Sequence, residues 1–186
     1  MAGTCRIGIH FRQDLCSLAC VRSCMNIVLV EPEIPPNTGN IARLCAATRS
    51  TLHLIEPLGF DMDDRRMSRA GMDYWKLVAW KRWANWTAFA ASLPAEARLW
   101  FVEQGAPRAY IDATFNPDDY LVFGRETAGL PITLLEQHRD SWLQIPMPNP
   151  EARSLNLANC VAIVLFEALR QTGFGGTASA PARPSA

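Results

Sequence analysis

Charge of either sign is not in excess in this chain: 18 basic and 18 acidic side chains leave a formal net charge of zero. A global electrostatic pull on nucleic acid is thereby excluded, and any grip on phosphates has to come from a local cluster. No apolar stretch approaches the roughly 18 uninterrupted residues of a membrane-spanning helix, so no membrane partner is expected. Histidine is scarce, and His10, His53 and His138 stand apart with no H-E-x-x-H pair. There is no G-x-S-x-G elbow, no G-x4-G-K-[ST] and no G-x-G-x-x-G behind a strand, which removes the common hydrolase, P-loop and dinucleotide signatures. Of the six cysteines, Cys5, Cys16, Cys20 and Cys24 crowd the N-terminus beside His10, without the paired C-x2-C spacing of a zinc site. No metal is expected. Arg6, Arg12, Asp14 and Arg22 interrupt the same stretch, unlike a secretory signal, and the cytoplasm is the expected location. Residues 1–24 read as an N-terminal extension, disordered or upstream of the working start at Met25.

What is present is enough apolar material, 49% of 186 residues, to bury one core. Residues 25–173 read as that single domain, and residues 174–186, mostly Gly, Ala, Ser, Thr and Pro, as a flexible tail. Strands are expected over Asn26–Val30, Thr51–Ile55, 76–80, 99–103, Tyr120–Phe123 and 142–145. Helices are expected over 38–48, 83–92, 131–137 and 154–171, with a short turn near 65–70. Strands alternating with helices predict an α/β fold, a mostly parallel sheet flanked by helices. The last helix is apolar on more than one face (Leu155, Val161, Ile163, Val164, Leu165, Phe166, Leu169), which suits a central core helix, a dimer interface, or both.

Three strand exits carry unusual loops. Leu121-Val122-Phe123 runs into Gly124-Arg125-Glu126-Thr127-Ala128-Gly129-Leu130-Pro131, where glycines allow a ligand close to the backbone. Asn26–Val30 runs through Glu31-Pro32-Glu33-Ile34-Pro35-Pro36 to Asn37-Thr38-Gly39-Asn40, two asparagines around a glycine at a helix start. Leu143-Gln144-Ile145 meets the proline-braced Pro146-Met147-Pro148-Asn149-Pro150, after which Ser154 is placed to cap the last helix. Ligands of α/β proteins sit at the carboxyl ends of strands, so loops distant in sequence can build one pocket. Separately, Arg65, Arg66 and Arg69 fall within five residues and form a candidate phosphate clamp for RNA.

The motifs Asn37-x-Gly39-Asn40-x-x-Arg43, Phe123-Gly124-x-Glu126-x-x-Gly129-Leu130-Pro131, and Ile145-Pro146-Met147 with Ser154-Leu155-Asn156-Leu157-Ala158-Asn159 resemble those of the SPOUT superfamily of trefoil-knot RNA methyltransferases. Within it, Glu31 to Asn40 and Asp63 to Tyr74 look most like the tRNA (cytidine/uridine-34) 2′-O-methyltransferases. The resemblance runs from Met25 to about Gly173. It implies a C-terminal trefoil knot, a homodimer, and S-adenosylmethionine as methyl donor without a metal. It further implies donor contacts at Val102, Gly124, Ile145 and Ser154, with Arg43 and Asn37 as catalytic residues. The substrate implied is a tRNA anticodon stem-loop, methylated at the wobble ribose of leucine isoacceptors. Another tRNA or rRNA ribose, or a non-catalytic dimeric RNA-binding module, are the alternatives. Arginine is a poor general base, because its pKa lies above about 12. Either Arg43 is deprotonated in an unusual site, or it stabilises the developing alkoxide and the adjacent phosphate; electrostatics favours the second.

Overall fold

The computed structural model describes residues 25–61 and 73–176. Within these residues seven strands, β1 (Asn26–Val30), β2 (Thr51–Ile55), β3 (Trp80–Trp83), β4 (Leu99–Val102), β5 (Arg108–Ala109), β6 (Tyr120–Phe123) and β7 (Trp142–Gln144), form one sheet in the order β3-β2-β1-β6-β4-β7-β5. All the pairings are parallel. Among the described residues four helices accompany it: α1 (Pro35–Thr48), α2 (Trp86–Ala91), α3 (Ile132–Gln137) and α4 (Leu157–Gln171). The expected α/β architecture is the one observed.

β1 explains the layering. Its Asn-Ile-Val-Leu-Val run is apolar without alternation because both faces are covered, as in parallel sheets generally. Ile27 and Leu29 join a cluster with Ile41 and Cys45 of α1 and Val161 and Leu165 of α4. Val28 and Val30 face the opposite way, into a cluster with Phe89 of α2 and Leu134 and Leu135 of α3. The same strand brings the site together. β1 pairs with β2 on one side and β6 on the other, with Leu29 opposite both Leu54 and Phe123. The chain therefore changes direction across the sheet at β1, and the loops leaving β1, β6, β4 and β7 open side by side at one end. A crevice at such a switch point is where open α/β sheets bind ligands.

Several expected boundaries move. Residues 73–76 form a 3-10 turn and the strand begins at Trp80. Trp75 and Val78 are spent as plugs of the α1-side core, while Trp80–Trp83 sets Lys81 and Arg82 between two tryptophans on a sheet edge that charge protects from further pairing. α1 starts earlier than expected, at Pro35, since proline fits the first helical turn. α2 is shorter than expected and is capped by Asn85, whose side chain accepts from the Ala88 N–H at 2.8 Å. α4 starts later, at Leu157, with Asn156 rather than Ser154 as its cap. β5 was not expected; two residues carry no periodicity. Among the described residues no helix is long and apolar enough to cross a membrane. The expected extension, residues 1–24, the turn near 65–70 and most of the expected tail lie outside the described residues.

Candidate functional site

At the carboxyl ends of β4, β6 and β7 lies a cavity of about 610 Å³, bounded also by the start of α1. Val102, Phe123 and Ile145, the last residues of strands or one beyond, supply apolar walls. Gly124 to Gly129 forms one rim, and residues 153–157 the other. Cys160 of α4 also reaches the wall; burial first, and then the nearby Glu103 charge, pushes its thiol up to about 11, so it is a neutral, apolar surface near pH 7.

The glycine loop is closed on itself. Arg125 N–H donates to the Gly129 carbonyl at 3.2 Å, and Gly129 N–H donates to the Arg125 carbonyl at 3.0 Å. Gly129 has φ +64°, a left-handed conformation suited to glycine, and a Cβ there would lie 2.2 Å from Glu103 Oε2. That Glu103 oxygen accepts from Leu130 N–H at 2.8 Å, while Oε1 accepts from Gln104 N–H at 2.9 Å. Gly124 is required for a different reason from the ligand approach expected. A Cβ on it would lie 2.2 Å from the Gly129 carbonyl carbon and 2.3 Å from Leu130 N, so the returning loop itself fills the space.

A polar chain joins the three motif loops. Glu126 accepts from the backbone N–H of Glu33 at 2.8 Å and of Ile34 at 3.3 Å, and from Asn37 Nδ2 at 3.0 Å. Glu33 returns the bond, accepting from Thr127 N–H at 3.1 Å and Thr127 Oγ1 at 2.7 Å. Asn37 Oδ1 accepts from Asn156 Nδ2 at 2.9 Å, and Asn156 Oδ1 caps α4 through the N–H groups of Ala158 and Asn159. Arg125 is paired with Glu31 at the end of β1. Asn37 is buried, with both ends of its carboxamide engaged.

The cavity gathers five of the residues singled out in the sequence: Asn37, Val102, Gly124, Ile145 and Ser154. Arg43 lies on the exposed face of α1 and is not among the lining residues; at ~1.5 Å rise per residue it sits ~9 Å along the helix axis from Asn37. Arg65, Arg66 and Arg69 lie outside the described residues. Sequence reasoning did not assign a role to Glu103, Glu126 or Asn156. Glu126 and Asn156 stood inside the motifs and could have been found there; Glu103, one residue beyond a strand, gave no signal.

The SpoU rRNA Methylase family profile matches residues 24–166. A protein of Burkholderia cenocepacia (strain HI2424) named tRNA (cytidine(34)-2′-O)-methyltransferase is 53% identical over 156 residues, covering 82% of this chain and 99% of that protein. A solved structure described as giving structural insights into the 2-OH methylation of C/U34 on tRNA is 43% identical, with a TM-score of 0.76, and the match covers 81% of this chain and 97% of that one. The SpoU methyltransferase AviRb from Streptomyces viridochromogenes, solved in complex with the cofactor AdoMet, is 25% identical with a TM-score of 0.66, over 80% of this chain and 60% of that one. On the strength of the profile match and of these identities over most of its length, this chain belongs to the SpoU methylase family.

Proposed function

We propose that this protein transfers a methyl group from S-adenosylmethionine to the ribose 2′-hydroxyl of nucleotide 34 of a tRNA, with leucine isoacceptors as substrates. The observation that carries the reading is the single cavity built from all three motif loops, in a chain 53% identical to a tRNA (cytidine(34)-2′-O)-methyltransferase. The residues present fit the donor. The cavity lies within the roughly 300–1,000 Å³ of small-molecule sites, its strand-end walls suit an adenine ring, and the rim at Gly124–Gly129 offers backbone polar groups beside the side chains of Arg125, Glu126 and Thr127.

When bound, the sulfonium supplies an activated methyl group whose departure leaves a neutral thioether. Positioning is then the main task of the protein. Val102, Gly124, Ile145 and Ser154 hold the donor, and the bonds of Asn37 to Glu126 and Asn156 keep the rims of the cavity in register. Asn37 thus acts as a positioning residue. Arg43 faces the acceptor from the exposed side of α1, where its guanidinium stabilises the 2′-oxygen as it loses its proton, together with the neighbouring phosphate. Arg65, Arg66 and Arg69 contact the phosphates of the anticodon stem-loop.

The active form is a homodimer formed through α1 and α4. Support comes from Phe166 of α4, a large apolar side chain left 47% exposed. Mapping ribose methylation in total tRNA from a strain lacking this protein tests the function. Loss of the 2′-O-methyl group at nucleotide 34 is expected; unchanged wobble methylation refutes it.

A further inference from the structure

We infer that Glu103 is a donor-binding residue, accepting a hydrogen bond from a ribose hydroxyl of the nucleoside held in the cavity. The inference rests on the proposed use of S-adenosylmethionine and goes beyond it, because Glu103 lies outside all three motifs. It follows β4, which stands between β6 and β7 in the sheet. It therefore lies midway between the exits that carry Gly124 and Ile145, and the ribose is the middle portion of an adenosyl amino acid. Its backbone is fixed by donation from Glu103 N–H to the Leu143 carbonyl at 2.9 Å. Its carboxylate is fixed as well, by Leu130 N–H on Oε2 and Gln104 N–H on Oε1.

A carboxylate offers about four acceptor positions, and these two bonds leave one on each oxygen of a side chain that lines the cavity. Its charge reaches the opposite wall, where it adds to the upward shift of the Cys160 thiol. A loop brace alone would need no further capacity. A held acid at the end of a parallel strand is also the chemistry that α/β proteins use against a ribose diol.

The test is calorimetric binding of S-adenosylhomocysteine and of its 2′-deoxy and 3′-deoxy forms to wild type and to Glu103→Gln. Thermal melting confirms that the variant is folded. In wild type, removing the contacted hydroxyl should weaken binding roughly 10- to 100-fold, the range of a hydrogen bond to a charged group. In Glu103→Gln that penalty should shrink to about threefold or less. Equal penalties in both proteins would reduce Glu103 to a brace and overturn the inference. So would a wild-type protein indifferent to both deoxy ligands, whether or not the variant folds. 5′-Methylthioadenosine, which keeps the ribose but lacks the amino-acid ammonium, should lose as much affinity in the variant as S-adenosylhomocysteine does. An effect confined to S-adenosylhomocysteine would place the carboxylate on the ammonium instead and overturn the ribose contact. A wild type that binds none of these ligands would refute the methyltransferase reading itself.

Discussion

Glu126→Ala should separate the first and second motif loops. The carboxylate takes three donors: Glu33 N–H at 2.8 Å, Asn37 Nδ2 at 3.0 Å and Ile34 N–H at 3.3 Å. Two have good lengths and one is marginal. Bonds to a charged acceptor are worth about 1.5–3 kcal/mol each, discounted where the donors can turn to water instead. Here the groups are partly buried, so a loss of about 3 kcal/mol is expected. At roughly 2–4 °C per kcal/mol for a chain of this size, that is a fall of ~6–12 °C in Tm. Glu126→Gln keeps one acceptor oxygen and should lose about half as much. The assays are urea unfolding and calorimetric binding of S-adenosylhomocysteine, which should weaken because the rims drift apart. A Glu126→Ala protein with unchanged midpoint and unchanged ligand affinity would show that the three bonds do not hold the site.

Further outcomes follow from single residues. Gly124→Ala should cost about 3 kcal/mol and abolish ligand binding, because its Cβ meets the backbone of Gly129 and Leu130; a normally stable variant with wild-type binding would refute this. His53 is buried at 4% exposure. Its Nδ1 accepts from Trp83 Nε1 and its Nε2–H donates to Asn26 Oδ1, and burial first and Lys81 second lower its pKa to about 4. Because the unfolded chain binds the proton and the folded one does not, His53 leaves stability untouched above about pH 6.5 and removes up to about 3 kcal/mol between there and pH 4. An NMR titration showing an ordinary histidine pKa at this ring would contradict the assignment. Arg43→Ala should leave donor affinity intact and slow methyl transfer by roughly 100-fold or more, with little rescue by Arg43→Lys; single-turnover transfer at the wild-type rate would remove Arg43 from the chemistry.

The strands were legible where both faces are buried. Asn26–Val30, Thr51–Ile55 and Tyr120–Phe123 are largely apolar runs, with the buried His53 at the centre of the second, and their bounds coincide with those expected. Trp80–Trp83 was not, because its first three residues are exposed and Trp83 is only half-buried, so no buried face imposes an apolar pattern. In the site, Gly124, Asn37 and Ile145 were visible as small, polar or apolar residues at strand exits. The partners of Glu126 were not, since they stand up to 93 residues away and nothing local marks an acid as a brace rather than a solvated charge. Ser154 and Asn156 are both good caps; the choice between them rests on Asn37, which takes the Asn156 amide only when the helix begins at Leu157.

The central claim is methylation of a ribose oxygen at nucleotide 34, and one measurement bears on it directly. Purified protein is given labelled S-adenosylmethionine and a leucine-tRNA anticodon stem-loop, with a matched stem-loop carrying a 2′-deoxy nucleotide at position 34. Label should enter the all-ribose stem-loop, at that nucleotide, and not the deoxy control. Equal incorporation into both would make the acceptor a base or another nucleotide and contradict the account.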